Sequence, residues 1–119
     1  MSAAQVRNAG EQDIRASVEL ISAHRGGDLD EWRTLFADAL HDPQRHFIVA
    51  VSAQRVVGFG LSKLIDAVPD DADPLAAPVG WHLSGVTVDP GHRHRGIGAA
   101  LTQARLDRLR AVTDIVYYA

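Results

Sequence analysis

The 119-residue chain contains no cysteine, so disulfides and thiolate metal sites are both excluded, and the redox compartment is left undetermined. No run of apolar residues is long enough for a membrane span, and the first residues lack the basic-then-apolar pattern of a secretory signal. A cytoplasmic protein with no metal and no membrane partner is therefore expected. Broad positive charge is missing as well. The net charge is −3 at pH 7, which argues against a nucleic-acid binder working through a wide basic face. Repeats and low-complexity tracts are absent, and the length allows one domain, residues 1–119, but not two.

The charge that is present is local. Arg93 and Arg95, flanked by His92 and His94, make a small cationic spot, while Asp66, Asp70, Asp71 and Asp73 make an acidic one. Such a split suits a small anionic ligand at one place and a cationic one at another. Two solvated loops would give the same pattern. The remaining composition, 46% hydrophobic and 23% charged, is that of an ordinary soluble globular protein.

Periodicity orders the elements. A short strand is expected at Gln5 to Arg7, and Ile14, Val18 and Ile21 recur at i, i+4, i+7, predicting a helix to about His24 that Gly26-Gly27 breaks. Asp28 and Glu31 have capping-box spacing. They introduce a second helix whose apolar face is Trp32, Leu35, Phe36, Ala39 and Leu40, ended by Asp42-Pro43. Phe47 to Val51 and Val56 to Ile65 read as strands of a hairpin turning at Ser52 to Arg55. Gly58 and Gly60 leave two side-chain-free positions on one face of the second strand, where something approaches closely. Asp66 to Val79, with three prolines, predicts a long surface loop. Gly80 to Val88 is the next strand, stopped by Asp89-Pro90. From Gly96 the pattern is helical, with Ile97, Ala100, Leu101 and Ala104 on one face and Arg108 interrupting it further on. Ile115 to Tyr118 ends the order β-α-α-β-β-β-α-β, a mixed α/β layer.

The most informative stretch is His92 to Leu101, "HRHRGIGAAL". A P-loop needs Gly-Lys-Ser or Gly-Lys-Thr so that the lysine reaches the outer phosphates, and here Ala99-Ala100 follow Gly98. A dinucleotide fold wants a third glycine directly after a strand. Leu101 stands at that position, and Asp89 to Arg95 separates strand from glycines, so a dehydrogenase-type site binding NAD is a weak third alternative. The residues describe instead a strand, a short basic loop and a helix start. Free N–H groups and the positive dipole end of the helix meet there, which makes a pyrophosphate site built mainly from main-chain donors.

Arg93-x-x-Gly96-x-Gly98, preceded by "SGVTVDP" and followed by "AALTQARLDRL", resembles the acetyl-CoA-binding signature of the GNAT superfamily of N-acetyltransferases, whose loop reads Gln/Arg-x-x-Gly-x-Gly/Ala. The Val-x-Val-Asp-Pro strand ending and the order of elements from Gln5 extend the resemblance over essentially the whole chain. It implies a GNAT-like acyl-CoA N-acyltransferase fold, an α/β architecture on a mixed sheet. The activity it implies is direct transfer of acetyl from acetyl-CoA to a primary amine of a small molecule or peptide. The alternative is a catalytically silent acyl-CoA-binding module.

By the same resemblance, the coenzyme A diphosphate lies on Arg93, His94, Arg95, Gly96, Ile97, Gly98 and Ala99, and the pantetheine arm pairs with the strand at Val86, Thr87 and Val88. A main-chain N–H near Val86 faces the thioester oxygen, and Gly85 suits the bulge that opens this strand. His82 stands where histone-acetylating members carry a glutamate base, and an alkylammonium with a pKa near ~10.4 requires one. Four residues before Val86, it points to the same face unless a bulge at Gly85 shifts it. The aspartate cluster would steer a cationic amine. Aminoglycoside, polyamine, amino acid and protein N-terminus are all open as acceptors.

The sequence departs from the family at its end. GNAT domains usually continue with another helix and a hairpin, which carry the tyrosine that protonates the departing thiolate. Tyr117 and Tyr118 lie on the last strand itself, so neither matches the position of that tyrosine. A truncated form of a longer chain is one expectation. A homodimer that completes the exposed strand edge is the other.

Overall fold

The computed structural model describes residues 4–65 and 79–118. Residues 66–78, which hold nearly all of the expected loop and its aspartate cluster, lie outside them. Five strands, β1 (Gln5–Asn8), β2 (Arg45–Ser52), β3 (Arg55–Ile65), β4 (Gly80–Val88) and β5 (Val116–Tyr118), form one sheet in that order. Neighbouring strands run antiparallel except β4 and β5, which are parallel. The helices are α1 (Ile14–Arg25), α2 (Leu29–His41) and α3 (Ile97–Leu109), with short 3-10 turns at Glu11–Asp13 and Pro90–His92. None of the described helices is long and apolar enough to cross a membrane.

Alternation along β2 divides the interior. Phe47 and Val49 pack with Phe59 against Val18, Ile21 and Phe36 of α1 and α2. Ile48 and Ala50, pointing the other way, meet Val57, Ile97 and Leu101 beneath α3. The sheet is thus the middle of three layers, buried on both faces, which is why β2 reads as an unbroken apolar run.

Local signals explain the ends of the elements. The Asp28 carboxylate accepts the N–H groups of Asp30 and Glu31 at 2.9 and 3.0 Å, capping α2. The β2–β3 hairpin turns through Ala53 and Gln54, both at positive φ, as a two-residue turn matched to strand twist requires.

Two expected helix faces are corrected. Leu35 is exposed, because α2 is centred on Phe36 and Ala39. On α3 the buried stripe is Ile97, Leu101, Arg105 and Leu109, while Ala100 faces solvent. Arg108, read as the interruption, points outward and donates to Asn8 Oδ1 at 2.7 Å. Arg105 is the charged residue inside.

The stripe runs through Arg105 because the sheet makes room for it. A Cβ on Gly60 would lie 3.1 Å from Arg105 Nε, and one on Gly58 would lie 3.3 Å from the Leu101 side chain. The close approach expected at these two glycines is that of α3 itself.

Candidate functional site

The end of β4 and the start of α3 frame the site. Pairing between β3 and β4 shifts register: Gly60 stands opposite Val86, but Ser62 stands opposite Leu83. One extra residue therefore sits in β4 around Ser84-Gly85, the bulge anticipated at Gly85. A consequence is that face parity changes along the strand. Leu83, Val86 and Val88 share the α3 face with Gly58 and Gly60, whereas His82 and Thr87 point toward α1 and α2. His82 and Val86 are on opposite faces, the outcome of the shift at Gly85.

After Val88 the chain is tied down at once. Asp89 N–H donates to the Val57 carbonyl at 2.8 Å, and His92 Nδ1 lies 2.7 Å from Asp89 Oδ2, with the imidazole N–H as donor because a carboxylate only accepts. Arg93 Nε reaches back to the Val88 carbonyl at 3.4 Å. His94 and Gly96 then take left-handed conformations, φ 64° and 79°. These two turns bring the chain into α3 within four residues of Arg93. Gly96 is the N-cap residue and no side chain caps the helix. The first N–H groups of α3, on Ile97, Gly98 and Ala99, thus emerge beside exposed Arg93, His94 and Arg95. Ile97 contributes only its main chain, since its side chain is buried in the core.

This cradle fits a pyrophosphate by the chemistry of its donors: uncapped helix N–H groups, the positive dipole end and two guanidinium groups. A cleft of about 770 Å³ adjoins it on the α1 side, lined by Ala16 and Leu20 of α1, by Thr87 and Val88, and by Arg93. It reaches neither His82 nor Gly96. At the floor near β1, Arg7 makes a two-point pair with the buried carboxylate of Asp13, at 2.7 and 3.0 Å, and Gly10 N–H adds a third bond. Burial opposes ionisation of Asp13, but these bonds and the Arg7 charge outweigh it and hold its pKa below the usual value.

His82 is buried at the other end of β4. It stands opposite Tyr117 of β5, and the two rings stack at 5.0 Å with 23° between planes. Among the described residues, no three His, Asp or Glu side chains are grouped to hold a metal ion. The structure thus gathers Val86, Thr87, Val88 and Arg93 to Ala99 around one strand end, and sets His82 apart from them. Sequence reading missed Arg105, whose signal was the missing side chain at Gly60.

Residues 15–118 match the model of the acetyltransferase (GNAT) family. No curated protein matches the chain in sequence. Among solved structures, the chain is similar to an aminoglycoside N-acetyltransferase, AAC(6')-Iy, in complex with CoA, with TM-score 0.82 and 16% identity over 100% of this chain and 78% of that one. It is also similar to aminoglycoside antibiotic 6'-N-acetyltransferase AAC(6')-Ih from Acinetobacter baumannii, with TM-score 0.77 and 14% identity over 98% and 79% of the two chains. A ribosomal-protein-alanine N-acetyltransferase from Brucella melitensis biovar Abortus 2308 gives TM-score 0.72 and 16% identity over 98% and 79%. At these identities the likeness is one of fold.

Proposed function

Because the chain belongs to the acetyltransferase (GNAT) family, we propose that it transfers acetyl from acetyl-CoA to a primary amine of a small molecule or peptide. The observation that carries this reading is the uncapped start of α3, with Gly96 left-handed, directly beside the bulged end of β4. Fold neighbours that act on aminoglycosides and on a ribosomal protein support an amine acceptor in general and leave its class open. The CoA complex of one neighbour supports acetyl-CoA as cosubstrate.

Bound acetyl-CoA would supply the activated acyl group; the chain supplies the rest. Arg93, His94 and Arg95 and the N–H groups of Gly96 to Ala99 hold the diphosphate. The main chain of Val86 to Val88 pairs with the pantetheine arm, and the Val86 N–H donates to the thioester oxygen as negative charge develops there. His82 accepts the proton that the attacking amine must lose. With the bulge, His82 and Val86 stand opposite Lys63 and Gly60, three strand residues or roughly 10 Å apart, so the proton travels through water. The exposed residues Val112 and Ile115 before edge strand β5 support a homodimer, which sedimentation equilibrium would reveal as a doubled mass.

Thermal shift with acetyl-CoA, CoA and NAD tests the reading. At about 100 times its dissociation constant the correct ligand stabilises by about 2.7 kcal/mol. Thiol release on addition of an amine library then separates an enzyme from an acyl-CoA-binding module, which would bind and release nothing. In the enzyme, His82→Ala should slow turnover by roughly 10²-fold while leaving CoA affinity intact. Stabilisation by NAD alone would overturn the proposal.

A further inference from the structure

Arg105 is 2% exposed, on the buried stripe of α3, yet its guanidinium is turned toward the sheet. One nitrogen, Nη1, donates to two main-chain carbonyls, Leu61 on β3 at 2.8 Å and Ser84 on β4 at 2.5 Å. The other terminal nitrogen donates to Thr102 Oγ1 at 3.2 Å. Leu61 and Ser84 are the residues at which β3 and β4 lose regular pairing, between Gly60 opposite Val86 and Ser62 opposite Leu83. A bulge strands main-chain groups that the ladder would otherwise pair. Here a buried cation from the third layer takes them up, and Gly60 lacks the side chain that would push it away.

From this geometry we infer that Arg105 is a positioning residue for acyl transfer, clamping the β4 bulge so that the Val86 main chain is presented to the thioester. The inference rests on the acetyltransferase reading above and extends it to a residue that touches neither phosphate cradle nor acceptor. Two physical features carry it. The Ser84 carbonyl that Arg105 grips is two residues before Val86, so its orientation fixes the intervening peptides at Gly85. A charge-assisted bond to a carbonyl in a dry interior is also stronger than a neutral one. A lysine, whose shorter stem ends in a compact ammonium with no planar fork, does not reproduce the bonds to both carbonyls and to Thr102 Oγ1 at once.

The test compares wild type with Arg105→Lys, Arg105→Met and Gly60→Ala. The last variant leaves the charge in place and crowds it, since the new Cβ would lie 3.1 Å from Nε. Calorimetry with acetyl-CoA and with free CoA gives a ratio of dissociation constants that isolates the thioester contact, because both ligands share the diphosphate. Loss of one hydrogen bond to the thioester should shrink any preference for acetyl-CoA by about fivefold, with CoA affinity within about twofold of wild type. Amide spectra of 15N-labelled protein without ligand should show Gly85 and Val86 shifted and exchanging faster in all three variants. Should Arg105→Met fail to fold, Arg105→Lys and Gly60→Ala decide the matter. Unchanged Gly85 and Val86 amides together with an unchanged ligand ratio would overturn the proposal. If wild type binds neither CoA nor acetyl-CoA, the acetyltransferase reading fails separately, and the ligand-free amide signals still decide whether Arg105 sets the bulge.

Discussion

Replacing His46 by phenylalanine should remove a pH-dependent share of the stability. His46 is a buried residue of β2 on the α3 face of the sheet, its ring stacked on Trp81 at 4.5 Å. Its Nδ1 is buried without a hydrogen-bond partner. Burial, and secondarily the charge of Arg108, pushes its pKa down from 6.5 to about 4. Between those two values the unfolded chain binds a proton that the folded chain refuses. Stability is therefore full above pH 6.5, falls as the pH drops toward 4, and levels off below. At 1.36 kcal/mol per pH unit, lowering the pH from 7.5 to 5.0 should cost the wild type roughly 2 kcal/mol through this group alone. Phenylalanine keeps the ring stack and cannot titrate. The variant should hold that share at pH 5.0, and at pH 7.5 it should be neutral or about 1 kcal/mol more stable, since the orphaned nitrogen is gone. Urea unfolding followed by far-UV circular dichroism measures this directly, and with slopes of about 1–3 kcal/mol/M the midpoints should diverge by about 1 M at the lower pH. Parallel pH dependences in the two proteins, or a His46 ring proton titrating near 6.5 by NMR, would refute the reasoning.

Gly96→Ala should lower stability by about 1–2 kcal/mol through its left-handed φ alone, because a Cβ there meets open space, and calorimetry should show CoA bound at least several-fold more weakly. Gly98→Ala, whose Cβ would sit 3.4 Å from Val86, should fold within about 0.5 kcal/mol of wild type. Asp13→Asn should cost about 2 kcal/mol at pH 7 by breaking charge-assisted bonds to Arg7 and Gly10. As the folded carboxyl pKa is lowered, that loss should fade below pH 3.8 as wild type itself protonates, a distinction visible in acid titrations of both proteins.

Most elements were legible because their signals are local. Val18 and Ile21 repeat at helical spacing, Asp28 caps α2, Pro43 follows its last turn, and the strand ending at Asp89-Pro90 runs into a loop whose glycines announce a tight turn. The cradle was legible for the same reason, since Arg93, Gly96 and Gly98 are neighbours in sequence. Nonlocal features were not. The sequence pattern marks Arg108 as the break in the α3 face, and only the sheet packed beneath that helix shows that Arg105 is the cation inside. Gly60 hinted that something pressed close without saying what. Gly85 marked where a bulge would fall, but that it puts His82 and Val86 on opposite faces takes the register with β3, and the cover of His82 by Tyr117 depends on a strand that arrives last.

The extra residue in β4 is a kink that the pairing on either side does not need. Excising Ser84 or Gly85 would let the ladder run unbroken from Gly60 opposite Val86 to Ser62 opposite Leu83. Trp81, Leu83 and Val86 would stay under α3 and His82 on the far side, so both interiors would keep their occupants. What would vanish is the stranded carbonyl that Arg105 holds, leaving a buried guanidinium with one acceptor fewer. Length at this point serves to shape the main chain, and the cation beneath it is what makes the surplus residue worth keeping.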